Sequence, residues 1–294
     1  MAPKTDFPPV RACLFDMDGL LLNTEDLYTE CINLVLAKYG KPPLPWSVKA
    51  QLQGRPAPAA GEIFQAWAKL PISYDEYMAE VSAHQQRVFP SAEPLPGVET
   101  LLRDLDRTRR FEGKSAGSDG HRVHVALATS SAETTFKLKT TRHQELFSVF
   151  EPHRRVLGDD KRLAPGRGKP LPDIYHLALK TINDSLPAGE APITPEECLV
   201  FEDSVQGVES GRRAGMRVIW CPHEGLLKEY AGREEEVLAG RMGTAGDVDM
   251  HHVGEVGDGW AQHLPSLVDF PYEKYGIIIP PESSEERTNG TMDA

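Results

Sequence analysis

The stretch Val10-Arg11-Ala12-Cys13-Leu14-Phe15-Asp16-Met17-Asp18-Gly19 decides the fold, because an apolar run stops there at two carboxylates and a glycine. A short apolar run bounded by turn residues predicts a buried strand. A buried, ionised carboxylate is costly unless a cation holds it, so Asp16 and Asp18 predict a metal, or a phosphoryl group with its metal, where the strand ends. A simple acidic turn is the alternative, and the remaining motifs must decide between the two.

Length and composition favour a soluble globular protein. The chain has 294 residues, 40% of them hydrophobic, which suffices for one large or two modest domains. The formal net charge of -12 argues against a nucleic-acid or anionic-membrane partner. Cysteines lie far apart in the sequence, with neither disulfide nor zinc spacing. Since no secretory signal or membrane-spanning stretch is visible, we expect a cytoplasmic protein, and we expect it to be a monomer.

Beyond the first strand the apolar residues adopt a helical period. Residues 24–39 show this period, with Thr24 as the expected N-cap. Two more helices are predicted over residues 59–70 and 73–89, with little strand signal between them. The pattern indicates an all-helical insert after the first strand, which we assign to residues 23–95.

From residue 96 onward the pattern alternates between helices and strands, which predicts a parallel sheet covered by helices. Beyond the first strand, at residues 10–15, strands are predicted at 123–128, 198–201 and 218–221, and helices at 98–105, 133–146, 172–182 and 205–214. We therefore predict an α/β fold whose sheet-containing core comprises residues 1–22 and 96–279. Residues 280–294 are predicted to form a disordered tail.

Polar side chains follow the predicted strands, at the edge where parallel sheets bind ligands. Thr129 and Ser130 follow the second strand and lead into a helix, a favourable place for a phosphate. Glu202 and Asp203 follow the third strand, and Lys169 stands just before a helix between them. With the first acidic pair, these residues supply a carboxylate nucleophile, acidic ligands for a hard cation, hydroxyls for phosphate and a lysine for developing charge. The set predicts a phosphoryl-transfer site.

Four ordered motifs resemble those of the haloacid dehalogenase superfamily of phosphohydrolases, most closely the branch that contains pseudouridine-5′-phosphatase. They are Phe15-Asp16-Met17-Asp18-Gly19, Ala128-Thr129-Ser130, Gly168-Lys169-Pro170 and Phe201-Glu202-Asp203-Ser204. The resemblance extends over residues 10–222. It implies a Rossmann-like parallel-sheet core with a small all-helical cap domain inserted after the first strand.

The resemblance also implies roles for the acids. Asp16 would attack phosphorus, form an aspartyl-phosphate and bind Mg²⁺. Asp18 would protonate the leaving alkoxide and later activate water, holding its proton near neutral pH through burial and a neighbouring carboxylate; its backbone carbonyl would bind the metal. Asp203 would be the remaining protein ligand of Mg²⁺. Glu202 would either support the ligands without touching the metal or serve as an auxiliary ligand.

Further positions are candidates for contact with the substrate, the first three from the same resemblance. Thr129 and Ser130 would bind the phosphoryl group, and Lys169 would offset its charge. Arg55, in the helical insert, either reaches down to the substrate or is a surface arginine. Asn23 departs from the branch, which often carries an acid there; this affects substrate choice rather than chemistry.

These roles describe a Mg²⁺-dependent phosphomonoesterase acting on a small phosphorylated metabolite, such as pseudouridine 5′-phosphate or another nucleotide-like or sugar phosphate. A phosphomutase resembling β-phosphoglucomutase is one alternative, since it uses the same core and returns the phosphoryl group to the sugar. A non-catalytic relic of the fold is another. A true dehalogenase is disfavoured, because Asp18 supplies an acid/base group that carbon–halogen displacement does not require.

Overall fold

The computed structural model describes residues 3–55, 57–111, 120–243 and 253–282. Within them the strands are β1 (Ala12–Phe15), β2 (His124–Ala128), β3 (Arg155–Val156), β4 (Cys198–Glu202), β5 (Arg217–Trp220) and β6 (Ala261–His263). They form one parallel sheet in the order β3-β2-β1-β4-β5-β6. The predicted α/β class with a parallel sheet is confirmed. Most of the predicted tail, residues 283–294, lies outside the described residues.

Helices cover the sheet and build the insert. Those of the insert are α1 (Thr24–Lys38), α2 (Trp46–Leu52), α3 (Ala57–Ala68) and α4 (Tyr74–Val88). The others are α5 (Val98–Arg107), α6 (Glu133–Lys139), α7 (Asp173–Asn183), α8 (Val205–Arg213), α9 (Glu224–Glu229) and α10 (Glu234–Leu238). The sequence pattern did not predict α2, α9 or α10. In the part of the chain that the structure describes, no helix is long and apolar enough to cross a bilayer.

Helix α6 is shorter than predicted, because it ends at Lys139 rather than continuing to residue 146. The next two residues turn their hydroxyls back onto the helix: Thr140 Oγ1 donates to the Phe136 carbonyl and Thr141 Oγ1 to that of Lys137. Threonine hydroxyls compete with helical backbone bonds in this way. A turn therefore follows α6, and its last residue, Lys139, lies close to the end of the sheet.

Strand β1 lies inside the sheet and is buried on both faces. Phe15 stacks on Phe201 of β4, with 4.5 Å between ring centroids, in the apolar cluster on one face. Leu14 packs with Val200 in the cluster on the other face. A strand covered on both faces leaves its carboxyl end as the place where polar groups meet a ligand.

The helical insert has an apolar cluster of its own, which includes Cys31, Phe64 and Tyr77. Its two connections to the sheet lie side by side. Asn23 N–H donates to the Glu93 carbonyl at 3.0 Å, and Glu93 N–H donates to Asn23 Oδ1 at 2.8 Å. The insert therefore leaves and rejoins the core at one point.

The predicted capping role of Thr24 is wrong. Asn23 occupies the N-cap position of α1 and makes no side-chain capping bond. Thr24 Oγ1 instead donates to Asp18 Oδ1 at 2.6 Å, because the acidic turn after β1 lies beside the first turn of the helix. A residue expected to shape the helix thus belongs to the surroundings of the acids.

Candidate active site

The turn after β1 brings the first acidic motif against the end of β4. Asp16 N–H donates to the Phe201 carbonyl at 3.0 Å, which continues the strand pairing up to the acid. Gly19 has a φ of +76°, and a Cβ there would lie 2.2 Å from Asp203 Oδ2. Only glycine permits both this backbone conformation and this close approach.

Three buried carboxylates, those of Asp16, Glu202 and Asp203, converge at the sheet edge. Each offers an oxygen, and these oxygens lie within 4.8 Å of one another. The structure thus brings together Asp16 and Asp203, which the resemblance assigned to a metal, with Glu202, which it gave as a supporting or auxiliary ligand. An oxygen-only donor set of this kind suits a hard cation such as Mg²⁺.

The electrostatics of this cluster favour a cation. Burial raises the pKa of Asp16 to about 7; Lys169 opposes the rise, while Glu202 and Asp18 add to it. Burial and the surrounding carboxylates also hold the pKa of Asp203 well above its usual range. A positive charge between these groups would lower both pKa values. The residues present therefore fit a divalent metal.

Lys169 lies with its ammonium between two of the acids. Its Nζ lies 2.5 Å from Asp16 Oδ1 and 2.7 Å from Glu202 Oε1, and its side chain is fully buried. Burial alone would lower the pKa of Lys169, but the carboxylates of Asp16 and Glu202 outweigh it and raise this pKa. Glu202 Oε1 also accepts a hydrogen bond from Tyr175 at 2.5 Å. Glu202 is therefore tied to Lys169 and Tyr175.

Asp18 has a partner that the sequence analysis missed. Lys139 Nζ lies 2.6 Å from Asp18 Oδ1, 2.6 Å from Ser131 Oγ and 2.9 Å from the Tyr28 hydroxyl. Ser131 Oγ donates to Asp18 Oδ2 at 2.6 Å, and Thr24 donates to Oδ1. Asp18 thus faces this cluster of donors, whereas its neighbour Asp16 faces the other acids.

The expectation that Asp18 holds its proton through burial is wrong for this arrangement. Burial does favour the protonated form, but the Lys139 ammonium and the hydrogen bonds from Lys139, Ser131 and Thr24 outweigh it and lower the pKa of Asp18. The sequence does contain a signal for this lysine. Lys139 stands three residues after Phe136 and next to Thr140, on the face that α6 buries.

Thr129 and Ser130 of the second motif directly follow β2. Thr129 is fully buried and its Oγ1 lies 3.5 Å from Asp18 Oδ2, while it accepts from the Ser131 N–H at 3.1 Å. It does not cap α6, whose Glu133 N–H donates to Asp159 instead. The Thr129 hydroxyl is thus held at the site rather than by the helix.

The loop after α2 brings the helical insert onto these residues. Gln53 Nε2 donates to Asp203 Oδ2, and Ser130 Oγ donates to the Gly54 carbonyl at 3.1 Å. Gln53 is itself buried, and its Oε1 has no hydrogen-bond partner. The insert therefore touches both Asp203 of the acidic cluster and the turn after β2 that contains Ser130.

Arg55 lies in the wall of the site. Its Nε donates to the Gln51 carbonyl at 2.7 Å, and its Nη2 lies 3.4 Å from the carbonyl of Gly243 in the core. A cavity of about 220 Å³ opens between the insert and the strand ends. Its lining combines the polar residues Asp16, Asp18, Thr129, Ser130, Gln53 and Arg55 with Tyr28, Phe64, Tyr74 and Tyr77 from the insert.

Replacing Gly54 with alanine should loosen the insert from the core. Gly54 has a φ of +74°, and a Cβ there would lie 2.2 Å from Ser204 Oγ. We expect an overpacking cost of about 1–3 kcal/mol in urea unfolding, and a raised KM for any substrate bound in the cavity. Gly40→Ala is the matched control, since it has a φ of +65° but open space around the new Cβ. Equal effects from both variants would contradict the docking role of Gly54.

Fold and site together define a class: enzymes of phosphoryl transfer with a carboxylate at the tip of the central parallel strand. Residues 10–215 match the haloacid dehalogenase-like hydrolase family, and the chain belongs to that family. This confirms the resemblance inferred from the four motifs.

Named relatives extend the match. A probable pseudouridine-5′-phosphatase of Saccharomyces cerevisiae is 44% identical over 79% of this chain and 90% of its own length. The mitochondrial (DL)-glycerol-3-phosphatase 1 of Arabidopsis thaliana is 36% identical over 77% of this chain and 68% of its own. A putative β-phosphoglucomutase structure from Thermotoga maritima is 29% identical, with a TM-score of 0.51, over 78% of this chain and 97% of that one. With the family match, the phosphatase relatives identify the protein as a phosphatase.

Proposed function

We propose that the chain is a Mg²⁺-dependent phosphomonoesterase that hydrolyses a small phosphorylated metabolite through an aspartyl-phosphate on Asp16. The observation that carries this is the placement of Asp16. It ends the buried central strand, contacts the ammonium of Lys169, and shares a carboxylate cluster with Asp203. A nucleophile beside a fixed cation and a metal-binding cluster is what attack on an anionic phosphoryl group requires.

The side chains divide the reaction between them. A carboxylate oxygen of Asp16 bonds to phosphorus as the bond to the leaving oxygen breaks. Asp18 takes up a proton from solvent as the substrate binds, because the anionic phosphoryl group opposes its ionisation, and it gives that proton to the leaving oxygen. Asp18 then takes a proton from the water that attacks the aspartyl-phosphate, which releases phosphate and restores both acids. Thr129 and Ser130 bind the phosphoryl oxygens, and Lys169 offsets their charge.

Asp16 and Asp203, with the backbone carbonyl of Asp18, are the proposed Mg²⁺ ligands. When bound, the ion neutralises charge on the phosphoryl oxygens. Glu202 is better suited to a supporting role, since its carboxylate already pairs with Lys169 and accepts from Tyr175. It holds the lysine in place beside the nucleophile.

Pseudouridine 5′-phosphate, or a nucleotide-like or sugar phosphate of similar size, is the proposed substrate. The named relatives are a probable pseudouridine-5′-phosphatase and a (DL)-glycerol-3-phosphatase, and a cavity of about 220 Å³ suits a small metabolite. We assign the cavity wall to a cap domain of residues 23–95 over a core of residues 1–22 and 96–279. Arg55, in that wall, is a proposed substrate contact.

The decisive experiment is a phosphate-release screen over small phosphate esters, with and without Mg²⁺. Pseudouridine 5′-phosphate, glycerol 3-phosphate and hexose phosphates span the substrate range, and product analysis separates hydrolysis from isomerisation. We expect inorganic phosphate, dependent on Mg²⁺. An isomerised sugar phosphate without phosphate release would favour the mutase instead, and no turnover of any ester would favour the relic.

Mg²⁺ should stabilise the folded protein, more so as the pH rises. Protons and the metal compete for Asp16, whose pKa of about 7 lies above the unfolded value. Without metal, the stability linked to this raised pKa is present below the unfolded pKa and lost as the pH rises through about 7. From melting curves, we expect Mg²⁺ to raise the free energy of unfolding by about 2.7 kcal/mol at a concentration 100 times its Kd. Mg²⁺ should stabilise Asp203→Asn protein less than the wild type. A stabilisation of the wild type that shrinks with rising pH would contradict the proposed metal site.

A further inference from the structure

A buried ammonium close to the proposed phosphoryl site has no part in the chemistry described so far. Lys139 ends α6, on the core side, and its side chain is fully buried. A charged side chain is seldom buried without a specific partner. Its carboxylate partner is Asp18, at 2.6 Å, so the question is what the pair does.

Lys139 holds both oxygens of the Asp18 carboxyl group. It contacts Oδ1 directly, beside the hydroxyl of Thr24, and it reaches Oδ2 through Ser131, whose Oγ lies 2.6 Å from Lys139 Nζ and 2.6 Å from Oδ2. Two anchored oxygens fix the plane of the carboxyl group. Oδ2 is also the oxygen that faces Thr129 Oγ1, at 3.5 Å. The contacts that hold Oδ1 therefore also fix the position of Oδ2, the oxygen on the side where we place the phosphoryl group.

Lys139, Ser131 and Thr24 favour the carboxylate form of Asp18, and their positions also allow the acid form. In the carboxylate, Ser131 donates to Oδ2; in the acid, Oδ2 carries the proton while Oδ1 still accepts from Lys139 and Thr24. The proton then leaves from Oδ2, toward Thr129 and the phosphoryl group. No rearrangement of Lys139 is needed between the two forms.

Lys139 also contacts the two ends of the helical insert. Its Nζ lies 4.7 Å from the ring centroid of Tyr28 in α1 and 5.1 Å from that of Phe89, which follows α4 directly. The Tyr28 hydroxyl accepts a hydrogen bond from the same ammonium. The lysine therefore lies between the insert and Asp18.

We propose that Lys139 is a positioning residue, which aims Oδ2 of Asp18 at the leaving oxygen while the insert lies against the core. This rests on the proposed function, because it needs Asp18 to transfer a proton to the leaving group. It predicts that the loss of Lys139 matters most for substrates whose leaving group needs that proton.

Leaving groups of different basicity test the proposal. An alkyl ester, glycerol 3-phosphate, needs a proton as it departs, whereas the aryl ester p-nitrophenyl phosphate leaves readily as an anion. For Lys139→Met we expect kcat/KM to fall about 10- to 100-fold on the alkyl ester and less than about threefold on the aryl ester. The parameter kcat/KM isolates the first step, in which the leaving group departs.

Lys137→Met is the matched control, since Lys137 lies on the same helix, is exposed and pairs with Glu133. It should match the wild type on both esters. Equal losses in Lys139→Met on the two esters would mean a structural role and overturn the proposal, as would no loss at all. Wild-type protein that cleaves neither ester would instead overturn the proposed function, and the inference with it.

Tyr28→Phe covers the case in which Lys139→Met does not fold. It keeps the ring beneath the ammonium and removes one hydroxyl that fixes Lys139. We expect kcat/KM again to fall more on the alkyl ester than on the aryl ester, with a loss about threefold larger on the alkyl ester. An unchanged ratio of the two kcat/KM values in folded Tyr28→Phe protein would overturn the proposal.

Discussion

Asp16→Asn protein should release no measurable phosphate, with kcat at least about 10⁴-fold below wild type on every ester tested. An amide cannot form the acyl-phosphate bond, so the first chemical step is lost. The fold should survive, because the substitution is nearly isosteric and Lys169 keeps its second carboxylate, Glu202. Removing a buried carboxylate whose pKa is raised to about 7 also removes a source of repulsion.

Mass spectrometry of acid-quenched reactions measures the same step directly. Wild-type protein should carry one phosphoryl group during turnover, and Asp16→Asn protein none. Asp184→Asn serves as the control, since Asp184 is an exposed carboxylate paired with Lys180 on the surface. Phosphate release or a phosphoryl adduct in Asp16→Asn protein would remove Asp16 from the role of nucleophile.

Lys169→Met should cost both stability and activity. The variant leaves two buried carboxylates, Asp16 and Glu202, without the ammonium between them. Breaking a buried pair by removing one partner costs about 3–5 kcal/mol in the free energy of unfolding. Loss of a fixed cation beside the phosphoryl group should also lower kcat by about 10²- to 10³-fold.

Urea unfolding in the absence and presence of Mg²⁺ separates these two effects. The metal should restore part of the stability of Lys169→Met, since it supplies positive charge to Asp16, but it should leave kcat low. Lys180→Met is the control, because Lys180 is an exposed lysine on α7, with a surface carboxylate partner. A stability equal to wild type in Lys169→Met would mean that the two acids need no counterion.

The sheet was predictable where its strands are apolar. Strands β1, β2, β4 and β5 are buried runs, and their alternation with helices identified the parallel fold. The two-residue β3 and the half-buried Ala261–His263 at the opposite edge carry no such run, so neither was predicted. Short pairings of this kind depend on neighbouring strands rather than on their own sequence.

The candidate site was predictable where residues follow strand ends, and less so where the tertiary contacts decide. Asp16 and Asp203 come together because parallel strands end at one edge. Gln53 reaches Asp203 only because the insert folds back onto the core, which no local pattern shows. A lysine is expected at the surface, and only the position of Lys139 on the buried face of α6 indicated its burial. The monomeric state and the cytoplasmic location stay predictions.

The paired connections at Asn23 and Glu93 have a consequence for how such a phosphatase diversifies. Because both crossings meet in one hydrogen-bonded pair, the distance that the insert must bridge is the same whatever its internal fold. A longer, shorter or unrelated helical segment with matching ends leaves the register of the sheet unchanged. The part of the cavity wall that the insert supplies is therefore a replaceable module, while the acids at the strand ends stay fixed.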